Sequence, residues 1–350
     1  MPKDHESVPL PIPLDGIDDP APEPFAPHEM VRCDECLRAN PPTRVNCLYC
    51  GTVLPINEVT VNLQKPALRP LEKWEQGYNN ILLPPAANLN EDQLQEVADL
   101  LRLRPADLTR ILASVVPLPL ARAATLEEAS LVQRRLSGLG LESRIMPDAD
   151  SEADATGPTK IRAFEIDDAG VNAYQTPETT AIRIWWTDFT LLVVGRLIAK
   201  RVELKEQKGA RAANRILDSS EFATDETVVD LYISNKAVPY RLNANSFDFS
   251  CLGANKGLLA NQNLSTLVTL FREHAPQVEY DDSFNSLRKA LDAVWLPLQQ
   301  NESLGWRRER PGKYSIGSVT ELSNATQFLR YSRLRYFFQN EARTKTDEDA

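Results

Sequence analysis

Apolar positions along this chain change period in an ordered way. Between residues 77 and 148, Ile81 to Leu83 reads as a short strand. Leu94, Val97, Ala98 and Leu101 then recur at helical spacing, behind an Asn90–Gln93 capping-box pair. Pro105 suits the first turn of a second helix, with Leu108, Ile111 and Leu112 on one face. Val115 to Arg122 reads as a strand that Pro117 and Pro119 confine to a sheet edge. Thr125 with Glu128 opens a third helix, which carries Ala129, Val132, Leu136 and Leu139 and which Gly140 closes. Glu142 to Met146 completes a predicted β-α-α-β-α-β unit.

The region 179–300 changes register. Phe189 to Leu204 predicts one long strand, or two bent at Gly195. Val229, Leu231 and Ile233 alternate, as do Tyr240, Leu242 and Ala244, and then Phe247, Phe249 and Cys251. Helical stripes follow. One is capped by Asn263 and carries Leu264, Leu267, Val268 and Phe271; the next carries Phe284, Leu287, Leu291 and Trp295. Strands followed by helices predict an antiparallel sheet or barrel with packed helices. Residues 301–341 read as its helical extension, in which Phe328, Leu334 and Phe338 are buried and the arginines stay in water. The expected class is multidomain α+β, without an internal repeat.

Composition adds the segments between. Residues 1–30 hold eight prolines and seven acids against one lysine, which predicts a disordered acidic arm. Residues 55–76, with Pro66 and Pro70, read as a linker, and 149–178 as a second, acidic one. Residues 342–350 read as a disordered tail. The net charge of −10 therefore sits in arm, linker and tail, and the folded parts are near neutral. Aromatics at 7% and apolar residues at 42% exclude disorder throughout. Arg196 interrupts the most apolar run, Phe189 to Ala199, so no transmembrane segment is expected. No basic-then-apolar leader is visible, which predicts a cytoplasmic chain.

The sharpest signal lies at 31–54. Cys33, Cys36, Cys47 and Cys50 read C-x2-C, ten residues, C-x2-C. Each C-x2-C is a knuckle that aims two thiolates at one centre, and two knuckles make a tetrahedron. One structural zinc ion is the expected occupant, with rubredoxin-like iron or paired disulfides as alternatives. Gly51 follows the second knuckle, where a positive backbone angle is useful; Leu37 holds that place in the first. The stretch from Arg32 to Leu54 resembles prokaryotic zinc ribbons and the Ran-binding-protein-type zinc finger. That family's asparagine between the knuckles is matched by Asn40, whereas its tryptophan is replaced by Val31 and its ubiquitin-contacting Thr-Phe pair by Leu37 and Arg38. Ubiquitin binding is therefore not implied. Arg32, Arg38 and Arg44 are the ribbon's candidates for phosphate contact.

Two further resemblances are patterns rather than motifs. The unit 77–148, best from Arg104 to Ile145, resembles the C-terminal domain of the ribosomal stalk protein. Arg102-Leu103-Arg104-Pro105 replaces that family's Gly-rich turn, so docking of translational GTPases is not implied. The C-terminal domain resembles bacterial pleckstrin-homology-like barrels, which implies a bent sheet plugged by a helix and no catalytic motif.

Enzyme chemistry finds few candidates. His5 and His28 lie in the arm, which leaves Cys251 with His274 as the one Cys/His pairing in the folded region. Asp225-Glu226 and Asp281-Asp282 are carboxylate pairs that a turn and a helix cap also explain. Six bases at Lys200, Arg201, Lys205, Lys208, Arg211 and Arg215 read as a charged, solvated hairpin loop. The expected function is a non-enzymatic adaptor or regulator acting through a protein partner. The rivals are a nucleic-acid-binding accessory protein, using ribbon and basic C-terminal helix, and an enzyme whose site the sequence does not display.

Overall fold

The computed structural model describes residues 25–27, 30–55, 66–72, 75–151, 157–176, 178–207, 215–234, 236–310 and 313–348. The expected disordered arm falls almost wholly outside the described residues, as does much of the 55–76 linker. Two compact units result, Met1–Gln64 and Lys65–Ala350.

In the first unit, β1 (Val31–Arg32) pairs antiparallel with β2 (Ala39–Asn40). A single bridge between Asn46 and Val53 repeats that arrangement around the second knuckle. The apolar core is small: Val31, Cys33, Cys47 and Leu54.

The second unit opens with β3 (Tyr78–Leu82), α1 (Glu91–Leu101), α2 (Pro105–Leu112), β4 (Leu118–Ala123), α3 (Leu126–Gly138) and β5 (Ser143–Pro147). This is the order the periodicity predicts, and the proline-bearing β4 is an edge of a β4-β3-β5 sheet. Asn90 and Gln93 form the reciprocal cap of α1. Thr125 caps α3 through the Glu128 amide, but the Glu128 carboxylate turns away to the amides of Leu68 and Ala124. That bond fastens 66–72 to the sheet unit, so this part of the expected linker is packed structure. A short α4 (Asp148–Ser151) follows. Its Asp148 accepts from the Gly77 amide and the Asn79 side chain and pairs with Arg122. Burial opposes the Asp148 charge, and the Arg122 guanidinium outweighs it and holds the carboxyl below the usual range.

The acidic stretch 149–178 is not a linker over its second half. It forms β6 (Thr159–Ile161), β7 (Ala163–Asp167) and β8 (Gly170–Tyr174), and β8 pairs with β9 (Ile182–Trp185). Its acids are accommodated at solvent-facing places: Asp167 takes a two-pronged contact from Arg183, and Glu165 accepts from the Tyr174 hydroxyl. The main sheet then follows from β10 (Phe189–Gln207), β11 (Arg215–Ile233) and β12 (Lys236–Asn243). Next come α5 (Ala260–His274), β13 (Glu279–Asp281), α6 (Phe284–Leu291), β14 (Leu298–Arg310), β15 (Lys313–Ser323) and α7 (Ala325–Glu348). The order β14-β15-β10-β11-β12-β6 is an open path, with β13 beside the start of β10. Pairing is antiparallel except for β10–β13 and β12–β6.

Several expectations are corrected here. Phe189 to Gln207 is one strand, the first of the two alternatives, and its pairing runs regularly through Gly195. A Cβ there would lie 2.2 Å from the Phe328 ring, so glycine lets α7 approach the sheet. The charged stretch continues β10 from Lys200 to Gln207, with Lys208 and Arg211 outside the described residues, and 301–310 and 313–323 are strand rather than helical extension. Helix α7 runs through residues 342–348, where a disordered tail was expected. Phe247 to Cys251 is a turn leading into a 3-10 helix, not an alternating strand. Asn263 is not a cap: it sits inside α5 and clasps the amide and carbonyl of Gly257.

Alternation along β10 explains the two cores. Leu191 and Val193 face one cluster, shared with α6, α7 and the β-α-α-β-α-β unit through residues such as Leu101, Ile111, Phe284 and Phe328. Leu192 faces the other, with Val229, Leu231, Phe271 and Trp186. The expected separation of 77–148 from 179–341 therefore gives way to one continuous apolar core. The reason is that α6 and α7 cover this face of the main sheet and the smaller unit packs on them, as the Trp295–Asn79 hydrogen bond and the Arg144–Glu341 ion pair show.

Candidate metal centre

Residues 33–52 place four sulfurs by two equivalent backbone knuckles. In the first, the Leu37 amide donates to the Cys33 carbonyl at 2.9 Å and the Cys33 amide to the Arg38 carbonyl at 3.0 Å. In the second, the Gly51 amide donates to the Cys47 carbonyl at 3.0 Å and the Cys47 amide to the Thr52 carbonyl at 2.7 Å. Gly51 has φ +77° and Leu37 has φ +57°. Leucine accepts the left-handed conformation there at a cost of about 1–2 kcal/mol, because the knuckle demands it.

The Sγ atoms of Cys33, Cys36, Cys47 and Cys50 all lie within 4.8 Å of one another. Cys33–Cys50 is 3.6 Å and Cys36–Cys47 is 3.5 Å. A tetrahedron of ~2.3 Å metal–sulfur bonds has edges of about 3.8 Å, so the four sulfurs suit a tetrahedral metal ion. They are free thiols, which sets aside the paired-disulfide alternative in this structure. Cys33 and Cys47 are buried, Cys36 is half-buried and Cys50 exposed.

Asn40 joins the two knuckles. It is fully buried, and its side-chain amide donates to the Arg38 carbonyl at 2.9 Å and to the Cys47 sulfur at 3.4 Å. Its carbonyl oxygen accepts from the Leu48 amide at 2.8 Å. Both of its N–H donors and its carbonyl oxygen are thus engaged in holding the cysteine-bearing turns together.

Electrostatics within the cluster favour a cation. Burial opposes the Cys47 thiolate, but the Cys50 and Tyr49 amides, Cys36 and Asn40 outweigh it and draw the thiol down to about 6. The Arg38 amide favours the Cys36 thiolate, yet burial and the three neighbouring sulfurs prevail and push that thiol up to about 12. Four sulfurs this close cannot all ionise against one another, and a bound divalent ion is what permits it.

The other sequence candidates do not assemble into a second site. His274 binds the Leu270 carbonyl of its own helix and lies tilted against the Trp186 ring, and among the described residues no hydrogen bond joins it to Cys251. Cys251 is half-buried, and burial, helped by Asp248, pushes its thiol up to about 11. Its alkylation near neutral pH should be about a hundredfold slower than that of an unperturbed cysteine; mass-spectrometric labelling rates check this, and rapid modification would revive the dyad. Asp225 pairs with Arg196, and Glu226 binds Asn243 and the Asn245 amide. Asp281 is spent on Tyr331, Arg335 and the Ser283 amide, which also corrects the expectation that the arginines of α7 all stay in water. Asp282 accepts from the Tyr280 hydroxyl instead of capping α6. A cavity of about 490 Å³ is lined by Leu101, Leu103, Leu120 and Val294, but its Arg122 already holds Asp148. Among the described residues, no helix is long and apolar enough to cross a membrane.

No protein-family model, curated protein or solved structure matches this chain.

Proposed function

We propose that the chain is a non-catalytic adaptor in which one structural zinc ion organises the four-cysteine ribbon and the ribbon's surface meets a protein partner in the reducing cytoplasm. The convergence of four thiols with tetrahedral spacing carries this reading. Four sulfurs fill a tetrahedron and leave no open position for a reacting molecule, as in structural rather than catalytic zinc sites. The knuckle tips support the contact role. Leu37, Leu48 and Tyr49 are exposed, and Arg38 lies 4.7 Å above the Tyr49 ring. Those side chains contribute nothing to the ribbon's own core, yet they make a rigid amphipathic surface of the kind that anchors interfaces.

Deletion of residues 1–54 tests the division of labour. The melting transition of the remainder should be nearly unchanged, because the two compact units divide at residues 64 and 65. Capture of the protein partner should be lost or strongly weakened. If the remainder collapses, the ribbon belongs to a shared core. If the same partners are still captured, the contact surface lies elsewhere. Metal analysis of the full chain should return one zinc per chain, and iron would overturn the metal assignment.

A further inference from the structure

The segment 66–72 borders a cavity of about 490 Å³ within the larger unit. Its other walls are the end of α1, β4, residues 293–299 after α6, and the start of α7. Small-ligand sites have volumes of about 300–1,000 Å³. Leu101, Leu103 and Leu120 are buried and give this cavity an apolar wall. Leu296 also lines it and is 61% exposed, which places that side chain where the cavity meets solvent.

One polar group on the wall has spare capacity. Arg122 lines the cavity and holds the buried Asp148 through Nε, at 3.0 Å, and through Nη2. Nη2 also donates to the Glu75 carbonyl at 3.1 Å. Among the described residues Nη1 has no hydrogen-bond partner, although the side chain is only 13% exposed. Arg330 lines the cavity too. Burial opposes the Asp148 charge, and Arg122 and Arg330 both favour it. Two guanidinium groups therefore stand against one buried carboxylate at this end. The other charges on the wall are Arg69, matched by Glu75 at 2.7 Å, and Glu72, which is exposed and screened by solvent.

We infer that this cavity binds a medium-chain fatty acid, with the carboxylate on Arg122 Nη1 beside Arg330 and the chain along the leucine wall. A carboxylate supplies the acceptor that Nη1 lacks, in a charge-assisted bond. A neutral hydrocarbon, or an apolar side chain of another protein, would fill the same wall and leave Nη1 without an acceptor. A short carboxylate would match the guanidinium and leave the leucines bare.

The test is isothermal titration calorimetry of sodium decanoate into the full chain. One ligand per chain is expected, and each methylene added from hexanoate to decanoate should tighten binding about fourfold. Acetate and 1-decanol should each bind at least about tenfold more weakly than decanoate. Arg122→Lys keeps a cation for Asp148 but has no Nη1, and should weaken decanoate about tenfold. Leu296→Asp sets a like charge at the mouth and should weaken decanoate by about the same factor. Its melting transition should match that of the parent chain, because Leu296 is mostly exposed. That variant separates a lost site from lost folding if Arg122→Lys proves unstable. The inference is overturned if decanoate gives no binding heat at millimolar concentration, if affinity does not depend on chain length, if 1-decanol binds as tightly, or if folded Leu296→Asp binds decanoate as the parent chain does.

Discussion

Cys47→Ser should unfold the ribbon, release its metal and leave residues 65–350 standing. Cys47 is buried at the centre of the module, and its sulfur is both one of the four candidate metal-holding sulfurs and the acceptor for Asn40 and the Tyr49 amide. The module has almost nothing else to hold it. Among its described residues the buried branched aliphatic side chains are Val31 and Leu54, each contributing about 1.5–3 kcal/mol, with Pro42 also buried. Ordering the backbone costs about 1–2 kcal/mol per residue, so these two cannot organise the knuckles alone. Zinc binding to such sites supplies an apparent ~10–16 kcal/mol at neutral pH. Removing one of four ligands takes most of that away. Metal content should fall from one per chain to near zero, and limited proteolysis should cut freely within 31–54. The main thermal transition should not move. Retained zinc together with retained protease protection would falsify the metal-organised reading of the module.

Arg241→Met should destabilise the larger unit by about 3–5 kcal/mol, the cost of leaving its partner carboxylate buried and unpaired. Asp230 and Arg241 stand opposite each other on β11 and β12. Two parallel contacts of 2.6 and 2.8 Å join them, and both are buried. The guanidinium also lies 5.0 Å from the centre of the Phe328 ring, so the pair connects the sheet to α7. Burial disfavours the Arg241 charge, and Asp230 more than restores it. A drop in melting temperature of about 10 °C is the expected readout for a unit of this size. Added salt should not change it, because the pair is shielded from solvent. Joint Asp230→Leu and Arg241→Met replacement should recover most of the loss, since no unpaired charge is then left behind. Equal damage from the single and the double variants would mean that packing around the pair, not its charge, sets the cost.

Local chemistry made much of this protein legible. The Asn90–Gln93 cap, Pro105 at the start of a helix, Gly140 past the end of one and Pro119 on an edge strand each act within a few residues. Those signals suffice to order the β-α-α-β-α-β unit. The cysteine spacing pointed to the four-sulfur cluster for the same reason, since each knuckle is a local turn. What failed was inference where long-range pairing decides. The acids of 159–174 read as linker because alternation there is short and edge positions tolerate charge. Residues 301–310 read as part of a helical extension because dense arginines mask the period of two, and β14 becomes a strand by pairing with β15, which itself pairs with β10.

By itself the sequence determined which residues can ligate a metal, where helices begin and end in the first sheet unit, and that the chain is α+β. Only the tertiary structure decided that 77–148 shares one core with the main sheet, that Gly195 makes room for Phe328, and that Arg335 goes into the interior to meet Asp281. It also joined two hairpins remote in sequence through β10 and β15. The physical reason is range. Caps and knuckles are stabilised by groups a few positions away, whereas a buried charge, a close helix–sheet approach and a shared sheet edge depend on partners that only the completed fold supplies.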